Sequence, residues 1–142
     1  MTTPRIHIVT LGVDDLPRAR RFYEALGWHA SSTSNENICF LKGGAAVLAL
    51  YGRAALAEDA QCEDRPSGFA AVTLARNAAS KDEVDTWYSA ALQAGARAIK
   101  PPQEVFWGGY SGYIADPDGH LWEFAFNPFL VFDEHGNLAL PD

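Results

Sequence analysis

The order strand, helix, three short strands occurs twice along this chain, and a duplicated unit of that kind leaves few architectures open. In the first half, residues 5–13 are β-branched and apolar, and Asp14-Asp15 ahead of Leu16-Pro17 signals a helix start. The predicted helix sets Leu16, Ala19, Phe22, Tyr23 and Leu26 at 3.6-residue spacing with arginines opposite, and Gly27 stops it. Short strands are predicted at 28–32, 37–42 and 45–51. The second half repeats the order. A strand at 69–75 leads to a helix whose start has capping-box spacing, Ser80 and Glu83 satisfying each other's amides. Val84, Trp87, Tyr88, Ala91 and Leu92 form its apolar face, Gly95 ends it, and strands follow at 96–100, 110–115 and 120–126. Local echoes support the duplication: Val9-Thr10-Leu11 matches Val72-Thr73-Leu74, and Phe22-Tyr23 matches Trp87-Tyr88.

With 142 residues, 48% of them hydrophobic, the chain can bury one sizeable core. A formal net charge of -7 argues against nucleic acid or an anionic membrane as partner, since no basic patch offsets repulsion from phosphate. Arg18, Arg20 and Arg21 read as a solvated helix face. Neither a leader-like segment nor a run of roughly 18 apolar residues is present, so a soluble, cytoplasmic protein is expected. Cys39 and Cys62 stand outside any spaced cluster and are expected as free thiols. Residues 52–67 read as an acidic connector with a short helical turn, and 128–142 as an extension with a small hairpin around Asp133 to Asn137.

Asp116-Pro117-Asp118-Gly119 should reverse the chain, with Pro117 fixing one φ and Gly119 free to take a positive one. The strand after it puts Leu121, Glu123 and Ala125 on one face and Trp122, Phe124 and Phe126 on the other. A lone carboxylate in such a strand is a ligand, a proton-transfer group or a buried anchor.

These residues carry a family resemblance. The segment from Leu11-Gly12-Val13-Asp14-Asp15-Leu16 into Phe22-Tyr23-Glu24-Ala25-Leu26-Gly27, together with Asp116-Pro117-Asp118-Gly119 and Glu123, resembles the vicinal oxygen chelate superfamily. That superfamily includes glyoxalase I, extradiol dioxygenases and bleomycin and fosfomycin resistance proteins. The resemblance implies an α+β fold of two βαβββ modules, about 5–51 and 68–127, in a single domain over 1–127, curling as a cup-shaped mixed sheet. It also implies a homodimer, with the extension packing on the domain or the dimer interface.

Relatives with enzymatic activity hold a divalent metal with four side chains, two per module. Mapped onto this chain, those positions fall at Ile8, Leu48, Ala71 and Glu123, and aliphatic side chains donate no lone pair. A metal is therefore not expected. A shift of one residue would bring in His7, but would also turn Val9, Leu11 and Val13 the same way. An apolar setting disfavours a charged carboxylate, which makes Glu123 a candidate acid or base. Ile8, Leu48, Tyr51, Phe69, Ala71, Trp107, Tyr110, Tyr113 and Leu121 are the candidate ligand-binding residues, with Trp107-Gly108-Gly109-Tyr110 as a movable wall. The leading expectation is a protein that binds a small apolar or aromatic molecule without a metal. The alternative is a lyase, isomerase or dioxygenase of the glyoxalase type, metal-dependent if the register is shifted and acting through Glu123 if it is not.

Overall fold

The computed structural model describes residues 4–65 and 68–142. The chain divides into two compact units, Met1–Pro66 and Ser67–Asp142, each with its own four-stranded mixed sheet.

In the first unit, β1 (Ile8–Val13) leads to α1 (Leu16–Ala25), β2 (His29–Ala30), β3 (Ile38–Lys42), β4 (Val47–Gly52) and α2 (Arg53–Asp59). The sheet order is β1-β4-β3-β2, with β1 and β4 parallel and the other pairs antiparallel. Asp15 caps α1 by accepting the Arg18 amide at 3.0 Å, and Pro17 sits in the first turn, where its missing N–H costs nothing. Ala19, Phe22 and Tyr23 are its buried face. The Phe22 and Tyr23 rings meet edge to face at 5.0 Å, and Tyr23 meets Trp28 in the same way at 5.7 Å. Burying side chains of this size stabilises the unit by about 1.5–3 kcal/mol each. Gly27, at φ +104°, lets the chain leave the helix.

Strand pairing assigns the two faces of this sheet. Val9 lies opposite Leu48 and Leu11 opposite Leu50, while Leu41 and Cys39 pair with those same residues from the other side. This set is packed beneath α1. The other face carries Ile8, Thr10, Ile38, Phe40, Ala49 and Tyr51, and we refer to it as the open face. The acidic connector is not a plain loop: α2 packs on β1 and β4, and a Cβ on Gly12 would stand 3.3 Å from the Arg53 Cα.

In the second unit, β5 (Leu74–Ala78), α3 (Lys81–Gln93), β6 (Arg97–Glu104), β7 (Tyr110–Ala115) and β8 (Leu121–Phe126) form a sheet of order β5-β8-β7-β6 with the same pattern of one parallel and two antiparallel pairs. Ser80 caps α3 by accepting the Glu83 amide at 3.1 Å. The return bond differs from the expected box, because the Glu83 carboxylate accepts from Ala79 at 3.0 Å. Val84, Tyr88 and Ala91 are buried, and the Tyr88 hydroxyl donates to the Tyr113 carbonyl at 3.1 Å, tying helix to sheet. Arg76 sits on the helix side of β5 with its guanidinium 3.8 Å from the Trp87 ring centre. Partial burial lowers the Arg76 pKa, and the charge of Glu83 works against that fall.

Three strand expectations need correction. The strand predicted at 69–75 is displaced to β5, because Ala71 takes φ +61° and breaks the extended run. The strand predicted at 96–100 continues to Glu104 through bulges near Ile99 and Pro101-Pro102. The strand predicted at 28–32 shrinks to two residues. The extension forms the expected hairpin: Phe132 pairs with Leu138, and the Asp133 carboxylate accepts the amides of His135 and Asn137 at 2.8 and 3.0 Å. Phe129, Val131 and Leu140 remain exposed.

Candidate functional site

Glu123 reaches the open face of the second sheet because of the turn before it. The Asp116 carboxylate accepts the amides of Asp118 and His120 at 2.9 and 2.8 Å, Gly119 takes φ +90°, and its amide donates to the Asp116 carbonyl at 2.9 Å. The strand that starts there alternates as expected. Trp122 and Phe124 are buried on the α3 side, while Leu121, Glu123 and Ala125 point the other way. Glu123 is half-buried. It stands between Ala75 on β5 and Tyr113 on β7, its direct cross-strand partners.

Burial raises the Tyr113 pKa, and the negative charge of Glu123 and a hydrogen bond to it add to the rise. The phenol therefore holds its proton beside a carboxylate that can accept it. Small residues surround the pair: Ala75, Ala115 and Ala125 share the face, with Leu121 and the hydroxyl of Ser111. Lys100 lies opposite Tyr113 on β6, and Arg97 opposite Ala115.

The other sequence-selected residues divide by face. Ile8 and Tyr51 are on the open face of the first sheet, with Ile8 half exposed. Leu48 is not. It pairs with Val9, lies on the α1 side and is 5% exposed, so it belongs to the core of the unit. Ala71 precedes β5 and lies outside the sheet, and Phe69 is 70% exposed in the same irregular segment. Tyr110 is on the α3 side, where its hydroxyl donates to Asp85 at 2.7 Å. That bond is the main reason its pKa is raised. Trp107 sits at the tip of the β6–β7 hairpin with its indole over Gly109, leaving no room for a Cβ there. Of the ten candidates, then, Glu123, Tyr113 and Leu121 share one face of one sheet.

A model of the Glyoxalase/Bleomycin resistance protein/Dioxygenase superfamily matches residues 5–124. The chain belongs to this superfamily. Among solved structures it is similar to a glyoxalase-related enzyme from Fulvimarina pelagi, with 33% identity over 99% of this chain and 100% of that one and a TM-score of 0.87. A glyoxalase/bleomycin resistance protein/dioxygenase from Nocardioides gives 27% identity, 89% and 85% coverage and a TM-score of 0.72. Lactoylglutathione lyase from Agrobacterium tumefaciens gives 25% identity, 89% and 96% coverage and a TM-score of 0.67. Among proteins with curated functions, none matches.

Superfamily enzymes imply a metal, which needs side chains with lone pairs at four positions. The helix caps Asp15 and Ser80 give the internal correspondence: Ile8 and Thr73 stand equally far before their caps, as do Thr10 and Ala75. Thr10 pairs with Ala49, and Ala75 pairs with Glu123. The equivalent positions are thus Ile8, Ala49, Thr73 and Glu123, which replaces Leu48 by Ala49 and Ala71 by Thr73. Two aliphatic side chains, one hydroxyl and one carboxylate do not form a divalent-cation centre. Among the described residues no group of three or more His, Cys, Asp or Glu is placed to hold an ion. His7 follows the parity of Val9, Leu11 and Val13, two of which are buried on the α1 side. No described helix is long and apolar enough to cross a membrane. Ala49, Thr73, Ala75 and Ser111 escaped the sequence reading, and aligning the two caps would have found the first three.

Proposed function

We propose that this superfamily member binds a small, apolar or aromatic organic molecule against the open face of its second sheet, at the Tyr113–Glu123 pair and without a metal ion. The carrying observation is the direct opposition of a phenol and a carboxylate on a face whose neighbours are Ala75, Ala115, Ala125 and Leu121. The small, exposed Ala75 on edge strand β5 leaves room beside the pair, Leu121 and the Tyr113 ring give a ligand apolar contact, and the two polar groups orient it. The open face of the first sheet, with Ile8, Ile38, Phe40 and Tyr51, is a second surface of similar apolar character. Thermal-shift screening against aromatic metabolites and drugs tests the reading. Hits that vanish in Tyr113→Ala support it, and hits indifferent to Tyr113 and Glu123 overturn it.

A catalytic reading rests on the same pair. A carboxylate beside a protonated phenol can take a proton from a carbon acid while the phenol donates to the oxyanion that develops, neither step needing a metal. The 33% identity to a glyoxalase-related enzyme over nearly the whole of both chains supports this. Turnover abolished by Glu123→Gln while binding persists separates catalysis from simple binding. The proposal includes a homodimer, with the exposed Phe129, Val131 and Leu140 as contact surface. Sedimentation at increasing dilution checks it, and a persistent monomer removes it.

A further inference from the structure

Among the described residues Glu123 has the Tyr113 phenol as a hydrogen-bond partner but no cation. No Lys, Arg or His among them forms an ion pair with it, although such pairs occur elsewhere, as between Arg20 and Glu24 or Lys81 and Glu104. Its cross-strand neighbours are Ala75 and Tyr113, and its neighbours along the face are Leu121 and Ala125, so strand pairing sets a phenol beside it and no basic side chain. The basic side chains on this face stand one strand further out. Lys100 is opposite Tyr113 and Arg97 opposite Ala115, and both are exposed on the edge strand β6. Two strand spacings amount to roughly 10 Å. That is the separation of the backbones; the two cationic groups form no ion pair with the carboxylate, and, being exposed, their attraction to it is screened by salt.

A half-buried carboxylate lacking a cation is a site that a cation completes, and the ring next to it adds attraction of the same sign. The formal net charge of -7 draws cations towards the protein at longer range. Resting on the small-molecule reading above, we infer that the ligand of the Tyr113–Glu123 site is an organic cation: a protonated amine on an apolar or aromatic body, its nitrogen between the carboxylate and the phenol.

Calorimetric titration with three probes of matched size tests this: 3-phenylpropan-1-amine as the cation, 3-phenylpropan-1-ol as the neutral form and 3-phenylpropanoate as the anion. The cation is expected to bind at least tenfold more tightly than the other two and to weaken as salt rises, while the alcohol does not respond to salt. Glu123→Gln is expected to erase the preference, weakening the cation at least tenfold and bringing it level with the alcohol measured on the same variant. Because salt dependence is read on the wild-type protein, the test survives a variant that folds poorly. If alcohol and cation bind equally, or the preference persists in Glu123→Gln, the inference fails while the small-molecule reading stands. If none of the three binds, both fail.

Discussion

Tyr113 and Glu123 stand directly opposite each other on β7 and β8, and the phenol's pKa is raised by burial first and by the carboxylate second. A tyrosine with a raised native pKa holds its proton longer than the unfolded chain does. Its contribution to stability is therefore complete below about pH 10 and is lost as pH rises through the raised native value. Ultraviolet titration of tyrosinate should show a phenol ionising above the ordinary range, and Glu123→Gln should move it down by removing the charge. Tyr110 should respond to Asp85→Asn in the same direction, since its bond to Asp85 is the leading cause of its shift.

The assignment of faces in the first sheet makes Leu48 and Ile8 unequal. Leu48 is 5% exposed beneath α1 and Ile8 is 50% exposed. Leu48→Ala should cost about 3 kcal/mol in urea denaturation. Ile8→Ala should cost well under about 1 kcal/mol. Equal losses, or the reverse order, would contradict the strand register.

Gly112 is predicted to be intolerant of any side chain. A Cβ there would lie 2.8 Å from the Pro102 nitrogen and 2.9 Å from the Lys100 carbonyl oxygen, both backbone atoms that no rotamer change can move. Gly112→Ala should destabilise the protein by about 2 kcal/mol. It should also loosen the edge strand β6, seen as faster amide exchange across its bulges.

Asp116 is 3% exposed and accepts two amides of the turn that aims β8. Asp116→Ala leaves both donors short of a partner and should cost about 2 kcal/mol. Asp116→Asn keeps one acceptor oxygen and should cost less. Because this turn sets the position of Glu123, ligand affinity should fall in the alanine variant further than in the asparagine one.

Helices, turns and alternation were legible in the sequence because their causes are local. Asp15, Gly27, Ser80 and Gly95 mark the ends of α1 and α3, and the Asp116–Gly119 turn placed Glu123 on its face. The displaced β5 shows the limit. Phe69 to Thr73 is apolar enough to resemble a strand, whereas the actual strand contains Arg76 and Asn77. Arg76 is tolerated there because the Trp87 ring lies over it, a partner on another element that no local pattern reveals.

The candidate site was half legible for a related reason. Leu48 follows Gly44 by four residues as Glu123 follows Gly119, but the turns of the two halves differ by one residue, and that difference puts Leu48 on the α1 side of the sheet. Tyr110 was within reach of simple parity. It is an odd number of residues from Tyr113, so the two could not both face Glu123. The surroundings of Tyr113 depend on which strands are neighbours, and that pairing is a property of the folded unit.

In both units the first strand pairs with the last, β1 with β4 and β5 with β8. On the ribosome, each opening strand must therefore wait for about forty further residues before its partner exists, which places strand docking among the late, high-contact-order events of folding. Until then Leu11 and Val13, both buried once the unit is folded, travel as unshielded hydrocarbon, so sequence changes around β4 should be felt first as losses in expression yield.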